Sequence, residues 1–351
     1  MAKKTSARRK TRTTTPIKVG VVGYGGAFNM GRAHLEGMKA AGMVPTAVAE
    51  PNTDRRAVAE KDFPNIATFT SLDELLKKGD VDLLTLITPH DTHARLALQC
   101  LRAGKHVVVE KPLAITTSDV DRMIAAAKRK GVMLSTYHNR HWDGIILDAV
   151  DLVKKQKAIG DIVRIQCGMG GYGKPKDWWR SSQSISGGIL YDWGVHLLEY
   201  AFQLIDSPIT EVSGFAHQGF WASQTKWKDD TVEDDASAIV RFDDGTSLTL
   251  RSSYIDTDPG EHRMVITGTK GRLALNGDSL RLVQVRGLKT VTTERVTRPG
   301  EGHRYYQNVR DHLAEGTPLV ITPEWARRPV HVIELAGKSA RLGRALKPRY
   351  S

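Results

Sequence analysis

Runs of aliphatic and β-branched residues without polar alternation punctuate the first part of the chain, and each stops at a glycine, a proline or a charged group. Ile17 to Gly23 (IKVGVVG), Val81 to Thr88 (VDLLTLIT) and His106 to Val109 (HVVV) have this form. Such runs read as strands buried on both faces of a parallel sheet. Val44 to Glu50 and Val132 to Tyr137 extend the series. Between them lie helical stretches: Met30 to Ala41, LDELLKK behind the capping-box pair Ser71 and Glu74, a helix closing at Gly104 and another ending at Gly131. Strands alternating with helices predict right-handed crossovers and a doubly wound sheet.

After about Asn139 the pattern changes. A helix (Ile145 to Lys157) leads to a strand (Ile162 to Met169) and then to a loop rich in tryptophan. From Thr210 onward, strand-like segments follow one another with turns at Asp244-Gly245, Lys270-Gly271 and Asn276-Gly277, which predicts an antiparallel sheet. Helices are expected near Tyr305 to Leu313 and Trp325 to Leu346. The reading is thus α/β: a doubly wound parallel sheet over 17–138 and an α+β domain with a large, mainly antiparallel open sheet over 139–351, preceded by a basic tail, 1–16.

A length of 351 residues fits two domains at about 150 residues each. With 40% hydrophobic and 26% charged residues, the composition is that of a globular protein with a packed core. The formal charge of +12 suggests an acidic partner, but Lys3, Lys4, Arg8, Arg9, Lys10 and Arg12 carry half of it. The tail reads as disordered, and nucleic acid as an unlikely partner. No apolar segment follows Arg8 and Arg9 to make an export signal, and no span is long enough for a membrane. Cys100 and Cys167 form neither a disulfide framework nor a metal cluster, which fits a reducing, cytoplasmic setting.

Candidate chemistry gathers at the carboxyl ends of the predicted parallel strands, where such sheets form their ligand crevice. Gly23, Gly25 and Gly26 sit between strand and helix, the context in which glycines let backbone approach a pyrophosphate. The spacing departs from the usual fingerprint: Phe28 stands where a third glycine belongs, as though Ala27, Phe28 and Asn29 were inserted before the helix. Glu50 can accept hydrogen bonds from a ribose diol and would repel a ribose phosphate, favouring NAD. Arg55 and Arg56 leave NADP open. Glu110 and Lys111 emerge from the HVVV strand, and Pro112 fixes the exit; the lysine is either a solvated cap or points at the ligand. In GGILYDWGVHLLEYAF, residues 187–202, Asp192 and His196 share a helical face. There an acid could fix the imidazole's tautomer and stabilise its charge, or the two could form a salt bridge on a solvated face. His196 and Glu199 could ligate a metal, but no further cluster has ligand spacing.

Taken in order, VGYGG, TPHDTH (88–93), EKP (110–112) and a glycine pair followed by Asp192-x-x-x-His196 resemble the Gfo/Idh/MocA family of nicotinamide-dependent oxidoreductases, from Ile17 to about Leu346. The resemblance implies oxidation or reduction of a secondary alcohol on a sugar, cyclitol or related polyol. It implies that Lys111 orients the reacting hydroxyl and that Asp192 and His196 complete the site, His196 as proton acceptor. Thr88, Pro89 and His93 would border the nicotinamide, with His90 in place of the more usual Asn, and Glu110 would belong to the same cofactor surface. The open sheet would pair subunits into a homodimer or homotetramer. Relatives of this fold also include enzymes that cleave glycosides through transient oxidation with tightly held NAD, and nucleotide-sensing regulators. Trp179 and Arg180 are the expected substrate contacts, drawn from a set of aromatic residues with Tyr172, Trp178, Trp221 and Trp227 whose flat faces suit sugar rings.

Overall fold

The computed structural model describes residues 16–26, 29–260 and 262–350. The expected disorder of the tail therefore falls outside the described residues, apart from Pro16, and so do Ala27 and Phe28 of the glycine turn. The first half builds strands β1 (Lys18–Val22), β2 (Val44–Ala49), β3 (Ala67–Phe69), β4 (Leu83–Leu86), β5 (His106–Val109) and β6 (Leu134–Thr136). Helices α1 (Met30–Ala40), α2 (Thr53–Asp62), α3 (Leu72–Lys78), α4 (His90–Arg102) and α5 (Thr117–Lys130) alternate with them. The sheet order is β3-β2-β1-β4-β5-β6 and all pairs are parallel. The order reverses beside β1, where a doubly wound sheet opens its crevice. Every residue of β4 is buried, as are Val107, Val108 and Val109 of β5, which is why these runs lack alternation.

Ser71 does cap α3, accepting from the Glu74 amide at 3.2 Å. Glu74 returns its bond to Thr70 N rather than to Ser71, so the box closes one residue early. The sequence reading misses β3, whose three residues are too few to show a period.

The second half continues with α6 (Gly144–Val150), β7 (Ile162–Gly170), α7 (Gln183–Ser186), α8 (Leu190–Leu204), β8 (Ile209–His217), β9 (Asp235–Phe242) and β10 (Ser247–Ser253). It closes with β11 (Met264–Gly268), β12 (Gly271–Asn276), β13 (Ser279–Arg286), β14 (Lys289–Val296), α9 (Arg304–Glu315) and α10 (Pro323–Leu342). A π-helical turn, Asp151–Lys155, occupies the end of the single helix expected over 145–157. The eight-stranded order is β14-β13-β12-β11-β7-β10-β9-β8. All neighbours are antiparallel except β7 and β10. That exception arises because α7 and α8 carry the chain from β7 to the far edge, and two hairpins bring it back beside β7. Helix α10 starts at Pro323, with Thr322 as its cap, and stops at Gly343, which adopts φ 63°. Leu346, expected to be helical, instead bridges to Val212 of β8.

Helix α9 leaves the second sheet and returns to the first. Tyr305, Tyr306 and Val309 of α9 pack in one buried cluster with Val19 and Val21 of β1, Leu35 and Met38 of α1 and Val108 of β5. A second cluster joins the other face of the parallel sheet to α8, α10 and the large sheet.

Candidate active site

The carboxyl ends of β1, β2, β4, β5 and β6 converge on one edge, and the loops leaving them carry most of the residues singled out from the sequence. Gly23 adopts φ 99°, and a Cβ there would stand 2.4 Å from the Ile87 carbonyl, so only glycine fits between the ends of β1 and β4. Gly25 and Gly26 also have positive φ and lie under the Arg55 side chain. Glu50 is buried. Its Oε2 accepts from the Tyr24 amide at 2.9 Å and its Oε1 from the Asn52 amide at 3.0 Å. This carboxylate thus ties β2 to the glycine turn. Arg55 Nη1 is 4.0 Å from Glu50, whereas Arg56 is committed to the Glu50 and Pro51 carbonyls, each at 2.8 Å.

At the end of β5 the two residues of the charged pair part company. Lys111 crosses to α8, its Nζ donating to the Asp192 carbonyl at 2.8 Å and to Asp192 Oδ1 at 2.9 Å. Glu110 turns inward: Oε1 accepts from His34 Nε2 at 3.0 Å and Oε2 from the Lys111 amide at 3.0 Å. His34 Nδ1 in turn accepts from the Tyr306 hydroxyl at 2.6 Å. Burial alone would raise the Glu110 carboxyl, but the His34 contact and the neighbouring Lys111 charge outweigh it and hold the group below its ordinary value. Glu110 braces the loop beneath Lys111; its carboxylate bonds inward to His34 and the Lys111 amide.

His93, expected at the nicotinamide, is fully buried. Its Nδ1 lies 2.8 Å from the Pro112 carbonyl and its Nε2 2.9 Å from the Thr88 carbonyl. Burial favours the neutral ring, which donates to one of the two, and the ring is wedged between the β4 and β5 loops with both nitrogens facing these carbonyls. Thr88 is tied to Thr92 at 2.6 Å, and Pro89 caps the start of α4. His90 donates from Nδ1 to the Ser186 carbonyl at 2.8 Å, and burial, first, with the nearby His93, keeps its ring neutral at neutral pH.

The glycine pair aims α8. Gly187 and Gly188 have φ of 91° and 129°, and a Cβ on Gly188 would lie 2.8 Å from Glu233 Oε2. Glu233 accepts from the Ile189 amide at 2.9 Å and so pins the start of the helix; nothing in the sequence around Glu233 signals this role. Asp192 occupies the first turn, where the helix dipole favours an anion. Arg180 Nη1 meets Asp192 Oδ1 at 2.9 Å, the same oxygen that Lys111 holds. Burial opposes the charge on Asp192, yet Lys111 and then Arg180 outweigh it and hold the carboxyl below its usual range.

The expected pairing of Asp192 with His196 does not form, because the two cations take the carboxylate. His196, one turn further on, is buried against Trp193 (ring centroids 5.6 Å) and His138 (5.9 Å). Desolvation, reinforced by Lys111, drives its pKa far below the ordinary imidazole value, so it is a neutral acceptor rather than a stabilised cation. Its Nδ1 is buried with no hydrogen-bond partner among the described residues. His138, absent from the sequence reading, stands beside it, pushed down to about 4 chiefly by burial. The one signal that could have found it is its place just after β6, on the same edge as Lys111 after β5.

A cavity of about 420 Å³ opens beside Asp192 and Trp193, with Trp178, Tyr172, Tyr254 and Ile189 among its walls. Arg180 lies 5.2 Å from the ring centroids of both Trp178 and Trp179. Trp178 rather than the expected Trp179 faces the cavity; Trp179 packs edge-on to His90 at 4.7 Å. Among the described residues no group of three or more His, Cys, Asp or Glu could hold a metal ion, and no helix is long and apolar enough to cross a membrane.

Comparison with known proteins agrees with this architecture. The chain is 26% identical over 356 residues to scyllo-inositol 2-dehydrogenase (NADP(+)) IolW of Bacillus subtilis (strain 168), covering 97% of each chain. It is 27% identical over 331 residues to myo-inositol 2-dehydrogenase of Thermotoga maritima, covering 93% of each. The crystal structure of an NAD-binding protein from Listeria innocua superposes with a TM-score of 0.81 at 26% identity, covering 95% of this chain and 97% of that one. Residues 17–138 match the model of the oxidoreductase family with an NAD-binding Rossmann fold, and residues 148–274 match the GFO/IDH/MocA C-terminal domain. With a dinucleotide crevice at one end of its parallel sheet and a lysine from that edge locked to an aspartate of the second half, the chain belongs to the GFO/IDH/MocA family of NAD-binding oxidoreductases.

Proposed function

We propose that the protein is an NAD(P)-dependent dehydrogenase that interconverts a secondary hydroxyl and a ketone on a sugar, cyclitol or related polyol. The observation that carries this reading is the contact of Lys111 Nζ with Asp192, which sets an ammonium group at the junction of the crevice and the cavity. The names of two similar proteins, both inositol dehydrogenases, point the same way. The glycine turn and Glu50 fit a dinucleotide: positive-φ glycines leave backbone free of Cβ, and the carboxylate is held by two amides at the end of β2. When bound, NAD or NADP takes up or supplies the hydride.

The chain's own residues do the rest. Lys111 donates a hydrogen bond to the substrate hydroxyl and stabilises the alkoxide that develops on it. Asp192 keeps that ammonium oriented. His196, neutral, with an unpartnered Nδ1 among the described residues and packed against Trp193 of the cavity wall, accepts the hydroxyl proton or returns it in the reverse direction. Glu50 favours the diol of NAD, while Arg55 across the turn keeps NADP within reach. Subunits pair through the large sheet, whose β13 and β14 expose Val285 and Val296; analytical ultracentrifugation reads the assembly directly.

The test is calorimetric titration with NAD and NADP, then a polyol screen, then Lys111→Ala on the substrate found. Loss of one such electrostatic group costs on the order of a hundredfold in kcat or more. Near wild-type turnover by Lys111→Ala would refute the assignment.

A further inference from the structure

The cavity beside α8 carries positive charge for which hydride and proton transfer have no use. Lys174 and Lys176 both line it. Lys174 is partly committed, donating to the Gln224 carbonyl at 3.1 Å and lying 4.0 Å from Asp177. Lys176 is exposed and meets no carboxylate among the described residues. On another wall, Trp193 lies beneath two guanidinium groups, those of Arg140 and Arg263, each 4.7 Å from its ring centroid. Arg140 is paired with Asp143 at 2.9 Å. Arg263, exposed just before β11, meets no carboxylate among the described residues.

The acids nearby are already answered. Asp192 is shared by Lys111 and Arg180, Asp177 lies against Lys174, and Asp256 pairs with Arg251 at 2.9 Å. Lys176 on the cavity wall and Arg263 stacked over Trp193, itself a wall residue, are therefore a surplus of positive charge, and cations beside a concave site focus positive potential into it. On the same walls Trp178 and Tyr254 offer flat rings suited to a ring with hydroxyl groups.

We propose that the cavity takes a polyol bearing an anionic group, a sugar acid in its simplest form, whose charge is received by Lys176 and Arg263 while a secondary hydroxyl reaches Lys111. This rests on the dehydrogenase reading above and narrows its substrate class. A planar guanidinium matches a carboxylate in two parallel hydrogen bonds, and the ammonium of Lys176 adds a point charge that tolerates several ring geometries. Neutral sugars fit the same walls but leave both cations unanswered.

The experiment uses the full chain with saturating dinucleotide and compares kcat/KM for D-glucuronate, D-galacturonate and D-gluconate with that for D-glucose, D-galactose and sorbitol. D-glucose 6-phosphate forms a third arm. The expected result is an acid preference of about fivefold or more that shrinks as salt is raised. In a Lys176→Ala/Arg263→Ala variant the acid-to-neutral ratio falls toward one, mainly through KM, and Lys176→Arg in the wild-type background keeps it. Preference for the phosphate over the carboxylates also supports an anionic substrate and names a phosphoryl ester as its source. Neutral sugars used as well as both charged classes would overturn this proposal and leave the dehydrogenase reading standing. Failure of every sugar to react with protein shown by calorimetry to bind the dinucleotide would overturn that reading and this one with it.

Discussion

Replacing Asp192 by Asn removes one negative charge and little else, since the amide matches the carboxylate in size. In the wild type a single oxygen, Oδ1, lies 2.9 Å from both Lys111 Nζ and Arg180 Nη1. At an effective dielectric of about 20, each contact is worth roughly 6 kcal/mol before the cost of burial. The Asp192 side chain is 35% exposed, so solvent screening and the lost hydration of three charged groups reduce the net effect to about 1–3 kcal/mol. Without the carboxylate, two cations face each other where a nicotinamide cation must also approach, and Lys111 loses the anchor that aims it. The expected loss is roughly tenfold to a hundredfold in kcat/KM on the substrate that the screen identifies. Dinucleotide affinity should stay within about twofold, because Glu50 and the glycine turn lie on other strand ends. Steady-state kinetics and calorimetry on one preparation measure both. A kcat/KM loss under about threefold, or an equal loss of dinucleotide affinity, would refute the assignment of Asp192 as the anchor.

Other outcomes follow from the same contacts. Glu50→Gln should raise NADP affinity relative to NAD, since the charge that repels a ribose phosphate is gone; a calorimetric ratio that moves toward NAD instead would contradict the role given to Glu50. Gly188→Ala places a methyl 2.8 Å from Glu233 at a φ of 129°, and should cost about 1–3 kcal/mol in urea unfolding, against a few tenths for an alanine in an unstrained loop. Stability should depend on pH through His138. Its folded pKa, about 4, is below the unfolded value of about 6.5, so the unfolded chain binds the proton first. The contribution is full above pH 6.5 and is lost as pH falls toward 4, by about 3 kcal/mol in all. His138→Gln should therefore show a flatter fall of Tm between those values, and an unchanged slope would count against the buried neutral imidazole.

The parallel half is legible where burial on both faces leaves an unbroken apolar run, as in β4 and β5. It is illegible at β3, whose three residues carry no period; in the second half the same holds of β14, whose residues are all exposed. The parallel pair of β7 and β10 could not be read from turns between neighbours, because it joins strands far apart in sequence. Lys111 and Asp192 are legible by position, at a strand end and on a helix behind two glycines. The partner of Asp192 is not: a shared helical face suggested His196, whereas the third dimension supplied Lys111 from β5 and Arg180 from the tryptophan loop. His93 misled for a related reason. A histidine beside a crevice reads as a ligand, and only the positions of the Thr88 and Pro112 carbonyls reveal a clamp.

The return of α9 bears on how separable the two halves are. Tyr305 and Tyr306 are almost wholly buried against β1, α1 and β5, and the Tyr306 hydroxyl completes the chain of bonds through His34 to Glu110 beneath Lys111. A fragment ending at residue 138 would keep the whole glycine turn yet lack two aromatic plugs of its own core, each worth several kcal/mol. The nucleotide half is therefore not a cassette that can be cut out or exchanged at the obvious seam. Any graft that transfers its cofactor preference to another chain must carry α9 with it, or supply its two tyrosines from the recipient.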